Sequence, residues 1–274
     1  MSVKKYYNLA KKVFFINRSI TGRGTYNTLK IFAKEFDNFK IRQFKSGNKV
    51  FDWVVPSEWN IDDAFVKDKY KNKIINFYNS NLHVIGYSTK VNRYLKKNEL
   101  LKRLHSLKNY KNAIPYITSY YKKYWGFCVS ENQKELIKKK YNSEDLFEVK
   151  INSSFNKKGK MHYGEFFIKG NSKKEILIST YICHPSMANN ELSGPVVALS
   201  LISYFSKLNN KYSMRFLFLP ETIGVISYLS KNLNNLKKNV VGGYNLTCIG
   251  DDKNHSYILS KYQNSPSDYA LLEE

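Results

Sequence analysis

The segment 183–195 carries His184 and Glu191 between an apolar run and the start of a predicted helix. An imidazole and a carboxylate can together bind a metal ion or move a proton. The apolar run 175–182 is short and rich in β-branched residues, which predicts a buried strand, and Ser193 is a suitable N-cap for the helix that follows. Ligands of open α/β sheets bind beyond the carboxyl ends of the strands. The sequence therefore predicts a site at this strand-to-helix crossing, and the alternative is a histidine that caps local backbone.

Further acidic positions follow two more predicted strands. The run 214–219 leads into Glu221, and the run 243–249 leads into Asp251 and Asp252. Neighbouring strands lie about 4.8 Å apart, so residues at the ends of adjacent parallel strands can share one metal coordination sphere or exchange a proton. We therefore expect these acidic side chains to lie near the histidine of the first strand end.

The elements that must position these residues differ in character along the chain. Residues 41–170 carry short, aromatic, alternating runs, which predict a sheet-rich unit with interspersed helices. The chain beyond them alternates strands with helices, among them 196–205, a pattern typical of a mainly parallel sheet covered by helices. Near the N-terminus, Gly22 and Gly24 predict a turn before a helix over 25–36. These glycines could also cradle a phosphate, but the fuller phosphate-loop spacing and its lysine are missing.

The sheet-rich part contains several candidate elements. Its strands are predicted over 40–44, 50–55, 82–87, 125–129, 147–151 and 162–168, and its helices near 100–107 and 133–138. The last two strands flank a polar, glycine-containing stretch, 156–160, that is typical of a hairpin turn. The tryptophans of the chain predict a packed core here, with an aromatic sugar-binding platform as the alternative (Trp53, Trp59 and Trp125).

The chain is strongly basic, with 45 Lys+Arg against 22 Asp+Glu in 274 residues and a net charge of +23. Such a charge is compatible with a polyanionic partner such as nucleic acid, an anionic membrane or a charged polysaccharide. The lysines are spread along the whole chain among many Asn and Tyr residues, as expected from an AT-biased coding sequence, and no recognisable RNA- or DNA-binding motif accompanies them. We therefore expect no nucleic-acid partner.

The cysteines indicate a reducing compartment. Cys128, Cys183 and Cys248 are widely spaced and form no C-x-x-C pair, so neither a disulfide framework nor a cysteine zinc knuckle is predicted. No leader-like segment opens the sequence, and no apolar run approaches the roughly 20 residues that span a bilayer. The expectation is a soluble cytoplasmic protein without a membrane span.

The segments 183–195 and 219–224 together resemble a bacterial family of aminopeptidase-like domain proteins, which is linked with polysaccharide biosynthesis and allied to zinc-dependent aminopeptidases. The resemblance extends upstream through 17–22, 51–61, 81–89 and 114–121. It implies an α/β fold of the zinc-exopeptidase kind, with a mixed sheet covered by helices, formed by residues 1–40 plus 165–274. A β-rich domain, 41–164, would be inserted into it. Since related proteins continue further, the resemblance also implies a chain shortened at its C-terminus, with an exposed strand edge that favours self-association.

The resemblance also assigns roles to single residues. His184 corresponds to a histidine ligand of zinc and Glu221 to the general base that takes a proton from the attacking water. Asn190 occupies the position of a bridging carboxylate, and the neighbouring Glu191 could swing into its place. The position of a second ligand glutamate is Thr222.

Further ligand positions also differ from those of the zinc aminopeptidases. A ligand aspartate corresponds to Thr247, and a later histidine has no counterpart before Glu274. Since neutral side chains do not offset the charge of Zn²⁺, a two-metal site is not expected. The candidate is a single zinc ion held by His184, Glu191, Asn190 or Glu221, with help from Asp251 or Asp252.

Besides a basic nucleic-acid-binding protein, which charge and aromatic residues alone suggest, two functions remain open on these grounds. The first is a metal-dependent, aminopeptidase-like hydrolase that cleaves an amide bond in a small peptide or an amide-bearing saccharide. The second keeps the fold without catalysis and acts as a binding or scaffold protein in surface-polysaccharide assembly. It is motivated by the neutral residues at ligand positions.

Overall fold

The computed structural model describes residues 3–254 and 256–273. The chain divides into two compact units, the first formed by Met1–Val55 with Lys158–Glu274 and the second by Pro56–Lys157. In chain order the elements are α1 (Val3–Phe14), α2 (Arg23–Ala33), β1 (Lys40–Lys45), β2 (Lys49–Val50), β3 (Trp53–Val54), β4 (Glu58–Lys67), β5 (Lys73–Asn76), β6 (Val91–Lys96), α3 (Lys97–Leu101), β7 (Leu104–His105), β8 (Phe127–Cys128), α4 (Glu131–Lys140), β9 (Leu146–Asn156), β10 (Lys160–Ile168), β11 (Ser172–Tyr181), α5 (Ser193–Phe205), β12 (Tyr212–Leu219), α6 (Ile223–Asn239), β13 (Val240–Asn245) and α7 (Pro266–Leu272). A 3₁₀ turn covers Asn81–His83 and a π-helical turn covers Ala188–Leu192.

The first unit is built on a five-stranded sheet in the order β1-β10-β12-β11-β13. β11 pairs in parallel with both β12 and β13, whereas β10 pairs antiparallel with β1 and β12. The sheet is therefore mixed, as the resemblance implies, rather than mainly parallel. Its parallel half carries the strand ends that were expected to form the site. Tyr181 at the end of β11 lies beside Leu219 at the end of β12.

Helices α1, α2 and α5 contribute to the hydrophobic core of this unit. The core contains Phe216 and Phe218 of β12, both 0% exposed, together with side chains such as Phe32 of α2 and Leu199 of α5. In β12 and β11 the apolar residues that alternate along the strand face these helices. Burial of this face anchors the strands whose ends carry the candidate site residues.

The second unit has a sheet and a core of its own. Its four strands are ordered β5-β4-β9-β6 and are all antiparallel. In β9, Phe147, Val149 and Ile151 are each 0% exposed and lie on one face because side chains alternate along a strand. They pack in a cluster that also includes Phe127. The unit therefore has the β-rich character that the sequence predicts.

The sheet topology gives domain limits that differ from the predicted ones. The expected insert over 41–164 would contain most of β1 and the first half of β10, but both strands belong to the sheet of the first unit. The compact second unit is Pro56–Lys157 instead. The predicted hairpin around 156–160 is also wrong, since β9 pairs with β4 and β6 while β10 pairs with β1 and β12. Their turn joins strands of two different sheets.

Several local predictions also differ from the structure. The run 82–87 is a 3₁₀ turn followed by two isolated bridges, from Val84 to Phe127 and from Gly86 to Thr118. The run 50–55 is a tight pair of two-residue strands, and the predicted helix near 100–107 ends at Leu101. In each case the alternation or apolar periodicity of the sequence reflects packing of an irregular segment and not a regular strand or helix.

None of the helices among the described residues is both long and apolar enough to cross a membrane.

Candidate metal centre

The loop that carries His184 begins directly after β11. Ile182 and Cys183 are 0% exposed and His184 is 7% exposed, so the chain enters the loop inside the protein. The π-helical turn Ala188–Leu192 then leads into α5. Ser193 already has helical backbone angles and its hydroxyl donates to the carbonyl of Asn189, so it continues this turn and is not the predicted N-cap.

The start of α5 packs directly on the strand ends. A Cβ atom on Gly194 would lie 2.3 Å from the carbonyl oxygen of Leu246 and 2.4 Å from Oγ1 of Thr180. Only glycine permits this close approach, because every other residue carries that Cβ atom. Gly194 therefore lets the helix lie directly against the carboxyl edge of the sheet.

Glu221 reaches the same edge from the neighbouring strand. β12 ends at Leu219, and after Pro220 and Glu221 the chain turns into α6. His184 Nε2 lies 3.1 Å from Glu221 Oε2, and the Glu221 side chain is 53% exposed. The two residues that the sequence places at successive strand ends are therefore in direct contact, with Glu221 on the solvent side.

Cys183 adds a third donor that sequence reasoning missed. Among the described residues, Cys183, His184 and Glu221 form a group whose candidate ligand atoms all lie within 4.8 Å of one another. The backbone N–H of Glu221 also donates to Cys183 Sγ at 3.3 Å. The available signal was the adjacent Cys183 and His184 directly after a strand, which is not one of the paired-cysteine patterns of a zinc knuckle.

Burial sets the protonation of this group. It raises the pKa of the Cys183 thiol well above its usual value, so the sulfur is protonated when no metal is bound. Burial also lowers the pKa of His184, although the nearby Glu221 carboxylate opposes the shift. The imidazole is therefore held in the neutral form, which is the form that binds metal ions.

Glu191 lies behind His184, away from the open side. Its side chain is 0% exposed, its Oε1 lies 3.1 Å from Nε of the equally buried Arg18, and its Oε2 lies 3.8 Å from His184 Nδ1. Burial raises the pKa of Glu191 to about 7, although Arg18 favours the ionised form. Glu191 thus does not swing into the position expected from the sequence, since its carboxylate is engaged by a guanidinium that sequence reasoning also missed.

Asn190 borders the group on the side of the third strand. Its carbonyl oxygen lies 2.7 Å from the Tyr181 hydroxyl, and its side-chain amide faces Cys248 Sγ at 3.8 Å. The Tyr181 hydroxyl also lies 2.6 Å from Thr247 Oγ1, and its ring packs edge-on against His184. The neutral residues at the expected carboxylate positions therefore form a hydrogen-bonded rim.

Asp251 and Asp252 do not join this arrangement. β13 ends at Asn245, four residues before the predicted end at 249, so the acidic pair lies well beyond the sheet edge. Both residues are exposed, and Asp251 accepts a hydrogen bond from the backbone of Lys253. Neither belongs to the group of candidate ligands that the described residues form.

The donors present suit a zinc ion. Imidazole nitrogen, thiolate sulfur and carboxylate oxygen are the ligand types of Zn²⁺, and three protein donors leave a fourth position open for water or substrate. Cys183, His184 and Glu221 supply one of each type. Zinc binding would have to displace the thiol proton, which couples metal uptake to proton release.

Comparison with known proteins places this chain in a family. Residues 7–273 match the family described as a domain of unknown function (DUF4910). The chain is also 44% identical over 262 residues to a Clostridium acetobutylicum protein named for polysaccharide biosynthesis and an aminopeptidase-like domain. The match covers 96% of this chain and 58% of that relative, so the chain spans a little over half of the relative's length.

Solved structures agree on the fold. A Clostridium acetobutylicum crystal structure described as a peptidase is 43% identical, with a TM-score of 0.90 over 96% of this chain and 60% of its own. A zinc aminopeptidase from Bacillus subtilis, 10% identical, gives a TM-score of 0.56 over 89% of this chain and 68% of its own. The second likeness shows the fold alone, and it confirms the aminopeptidase-like α/β fold expected from the sequence. The chain belongs to the DUF4910 family.

Proposed function

We propose that this chain is the aminopeptidase-like domain of a zinc-dependent hydrolase that cleaves an amide bond. The contact between His184 Nε2 and Glu221 Oε2, 3.1 Å long and formed at the ends of adjacent parallel strands, carries the proposal. It joins a neutral imidazole to an exposed carboxylate beside a buried thiol, which is a set of groups suited to metal-assisted hydrolysis.

In this proposal only Cys183 and His184 of the three candidate donors hold the ion, and Glu221 is the general base. A bound zinc ion would polarise the scissile carbonyl and lower the pKa of the attacking water. The carboxylate of Glu221, which is 53% exposed, takes the proton of that water and returns it to the leaving amine. The N–H of Glu221 donates to Cys183 Sγ and thereby links the base to the candidate ligand.

The name of a relative supports a substrate class. The relative that is 44% identical is named for polysaccharide biosynthesis and an aminopeptidase-like domain. We therefore propose a small peptide or an amino-acylated or N-acylated saccharide as substrate, handled in the cytoplasm during surface-polysaccharide assembly.

The test combines metal content with cleavage of amide substrates. We expect about one zinc per chain, and turnover of aminoacyl anilides or of N-acyl amino sugars. Glu221→Gln should keep the zinc but lower kcat/KM by at least about 100-fold, because the amide cannot accept the proton. The matched control is Glu144→Gln, which changes an exposed glutamate of the second unit. Absence of zinc in wild-type protein, or unchanged cleavage by Glu221→Gln, would contradict the proposal.

The same test separates two roles for Glu221. If its carboxylate were a zinc ligand, Glu221→Gln would lose metal and activity together. If it is the base, metal remains and only turnover falls. Elemental analysis of the purified variant distinguishes these outcomes.

The second candidate function is a binding or scaffold protein without catalysis. It is favoured by the neutral rim, in which Asn190 and Thr247 share hydrogen bonds with Tyr181 where carboxylates would be expected. This function predicts saturable binding of a saccharide or peptide without turnover. Zinc bound through His184, together with cleavage, would exclude it.

A further inference from the structure

A buried ion pair lies behind the candidate metal centre. Arg18 and Glu191 are each 1% exposed, and Arg18 Nε lies 3.1 Å from Glu191 Oε1. Arg18 also donates through Nη1 to the carbonyl oxygen of Val13. The pair thus ties the segment after α1 to the π-helical turn before α5. Charged side chains are very rarely buried this completely unless they are paired.

The second oxygen of this carboxylate faces the histidine. Glu191 Oε2 lies 3.8 Å from His184 Nδ1, whereas His184 Nε2 lies 3.1 Å from Glu221. Nδ1 therefore faces a fully buried carboxylate, whereas Nε2 faces an exposed one. A metal-binding histidine is commonly oriented through its second nitrogen by a carboxylate or carbonyl, which also fixes its tautomer.

We propose that Glu191 is a positioning residue for the metal centre. Its carboxylate, fixed by Arg18, holds the His184 ring with Nδ1 toward the interior and Nε2 toward the open side, where a zinc ion would bind. This inference rests on the proposed function and deepens it. In this role Glu191 supports the ligand His184 and is not itself the metal ligand that the sequence suggests.

The geometry favours support over direct ligation. The Glu191 side chain is 0% exposed, and the group of Cys183, His184 and Glu221 does not include it. One carboxylate oxygen is engaged by the guanidinium and the other faces the ring, so turning toward the open side would break the ion pair with Arg18. Arg18 supplies the compensating charge that lets a carboxylate remain this deep in the protein.

The first experiment measures zinc affinity by competition with a chromophoric chelator. The variant Arg18→Gln with Glu191→Gln neutralises both partners and leaves no single buried charge. We expect its zinc Kd to rise about 10- to 100-fold, the usual cost of losing a partner of a metal ligand. The matched control, Arg215→Gln with Glu175→Gln, neutralises a buried ion pair elsewhere in the same sheet and leaves Glu165, the second partner of Arg215, paired with Arg42. Its zinc Kd should stay within twofold of wild type.

The outcomes separate a positioning role from a structural one. An unchanged zinc Kd in the Arg18 and Glu191 variant, or an equal loss in the control, overturns the inference and leaves the proposed function intact. Failure of the wild-type protein to bind zinc overturns both. Thermal melts of all variants, taken without metal, show whether a change in affinity merely follows a loss of stability.

A second measurement uses wild-type protein, so it does not depend on the folding of any variant. Nitrogen NMR of the zinc-loaded, ¹⁵N-labelled chain, assigned by the loss of signals in His184→Asn, reports which ring nitrogen binds the metal. We expect zinc on Nε2 and a proton retained on Nδ1, protected from exchange with water. Zinc on Nδ1 would overturn the inference, because the nitrogen that faces Glu191 would then hold the ion.

Discussion

At the residue scale, the candidate metal centre consists of side chains whose environments differ sharply over a few ångströms. Cys183 is fully buried, His184 nearly so, and Glu221 is open to solvent, yet their donor atoms lie within 4.8 Å of one another. Position along the sequence was sufficient to find His184 and Glu221, because both follow strands that the apolar pattern reveals. Cys183 and Arg18 were missed because only tertiary packing shows which neighbours they have.

A histidine outside the site provides a test of how burial acts on one residue. His83 is 7% exposed, its Nδ1 lies 2.7 Å from the carbonyl oxygen of Cys128, and burial lowers its pKa below the usual 6.5. As pH falls through about 6.5, the unfolded chain binds a proton that folded His83 does not, so stability should fall. His83→Gln should reduce this dependence in urea unfolding between pH 6.5 and 5.

The same urea unfolding experiment, carried out at higher pH, provides its own control. Between pH 7.5 and 9, His83 is neutral in both the folded and the unfolded state, so the slopes of wild type and His83→Gln should coincide. Equal slopes below pH 6.5 as well would contradict the prediction. They would show that the folded protein protonates His83 as readily as the unfolded chain does.

At the scale of elements, the connections after the strands determine the geometry of the candidate site more than the strands themselves do. The predicted strands over 175–182 and 214–219 agree closely with β11 and β12. The π-helical turn between β11 and α5 could not be predicted, since it depends on the buried pair of Arg18 and Glu191 and on close packing at Gly194. Apolar periodicity describes regular elements and not such turns.

The turn after β12 stores strain next to the proposed base. Thr222 has φ 57° and ψ −79°, a conformation that β-branched residues very rarely adopt. Strain of this kind costs about 1–3 kcal/mol. Thr222→Gly should therefore raise the free energy of unfolding by about 1 kcal/mol. Thr222→Ala keeps a Cβ atom, so it should raise the free energy of unfolding by much less.

The same variants report on function. Glycine also frees the backbone beside Glu221, so Thr222→Gly should lower kcat/KM for amide cleavage while metal content stays unchanged. Urea unfolding and steady-state kinetics measure the two effects. If Thr222→Gly is no more stable than Thr222→Ala, the positive φ does not represent strain in this turn.

At the scale of the whole molecule, the chain holds two cores, and the candidate site belongs to one of them. Residues 18, 183, 184, 191 and 221 all fall in the first unit, whereas the cluster around Phe147 falls in the second. The dispersed charge of +23 indicates no particular surface, in keeping with its spread along the sequence. The edge of β13, expected to favour self-association, is partly covered by α7, whose Ser267 hydroxyl accepts the backbone N–H of Gly243.

The separation of the cores predicts different effects of equivalent substitutions. Phe147→Ala, in the second unit, should destabilise the protein by about 3–5 kcal/mol through loss of buried surface and creation of a cavity. Zinc affinity of the folded variant should remain within about twofold of wild type. Phe216→Ala, in β12 beside the strand β11 that leads to Cys183 and His184, should lower both stability and zinc affinity.

Urea unfolding and chelator competition provide the two measurements. Both phenylalanines are 0% exposed, so the pair is matched in residue type and burial. A large loss of zinc affinity in folded Phe147→Ala would show that the second core supports the site as well. The independence of the site from that core would then be refuted.

The sequence by itself determined the α/β class through hydrophobic periodicity and the aminopeptidase-like fold through its resemblance to a known family. Motif spacing, a local property of the chain, gave the two residues at adjacent strand ends. Only the tertiary structure decided that Glu191 faces inward to Arg18 and that Cys183 joins His184. It also showed that Asp251 and Asp252 remain outside the group. Burial and pairing of charged groups depend on neighbours distant in sequence, as in the contact between residues 18 and 191, and no local pattern encodes that environment.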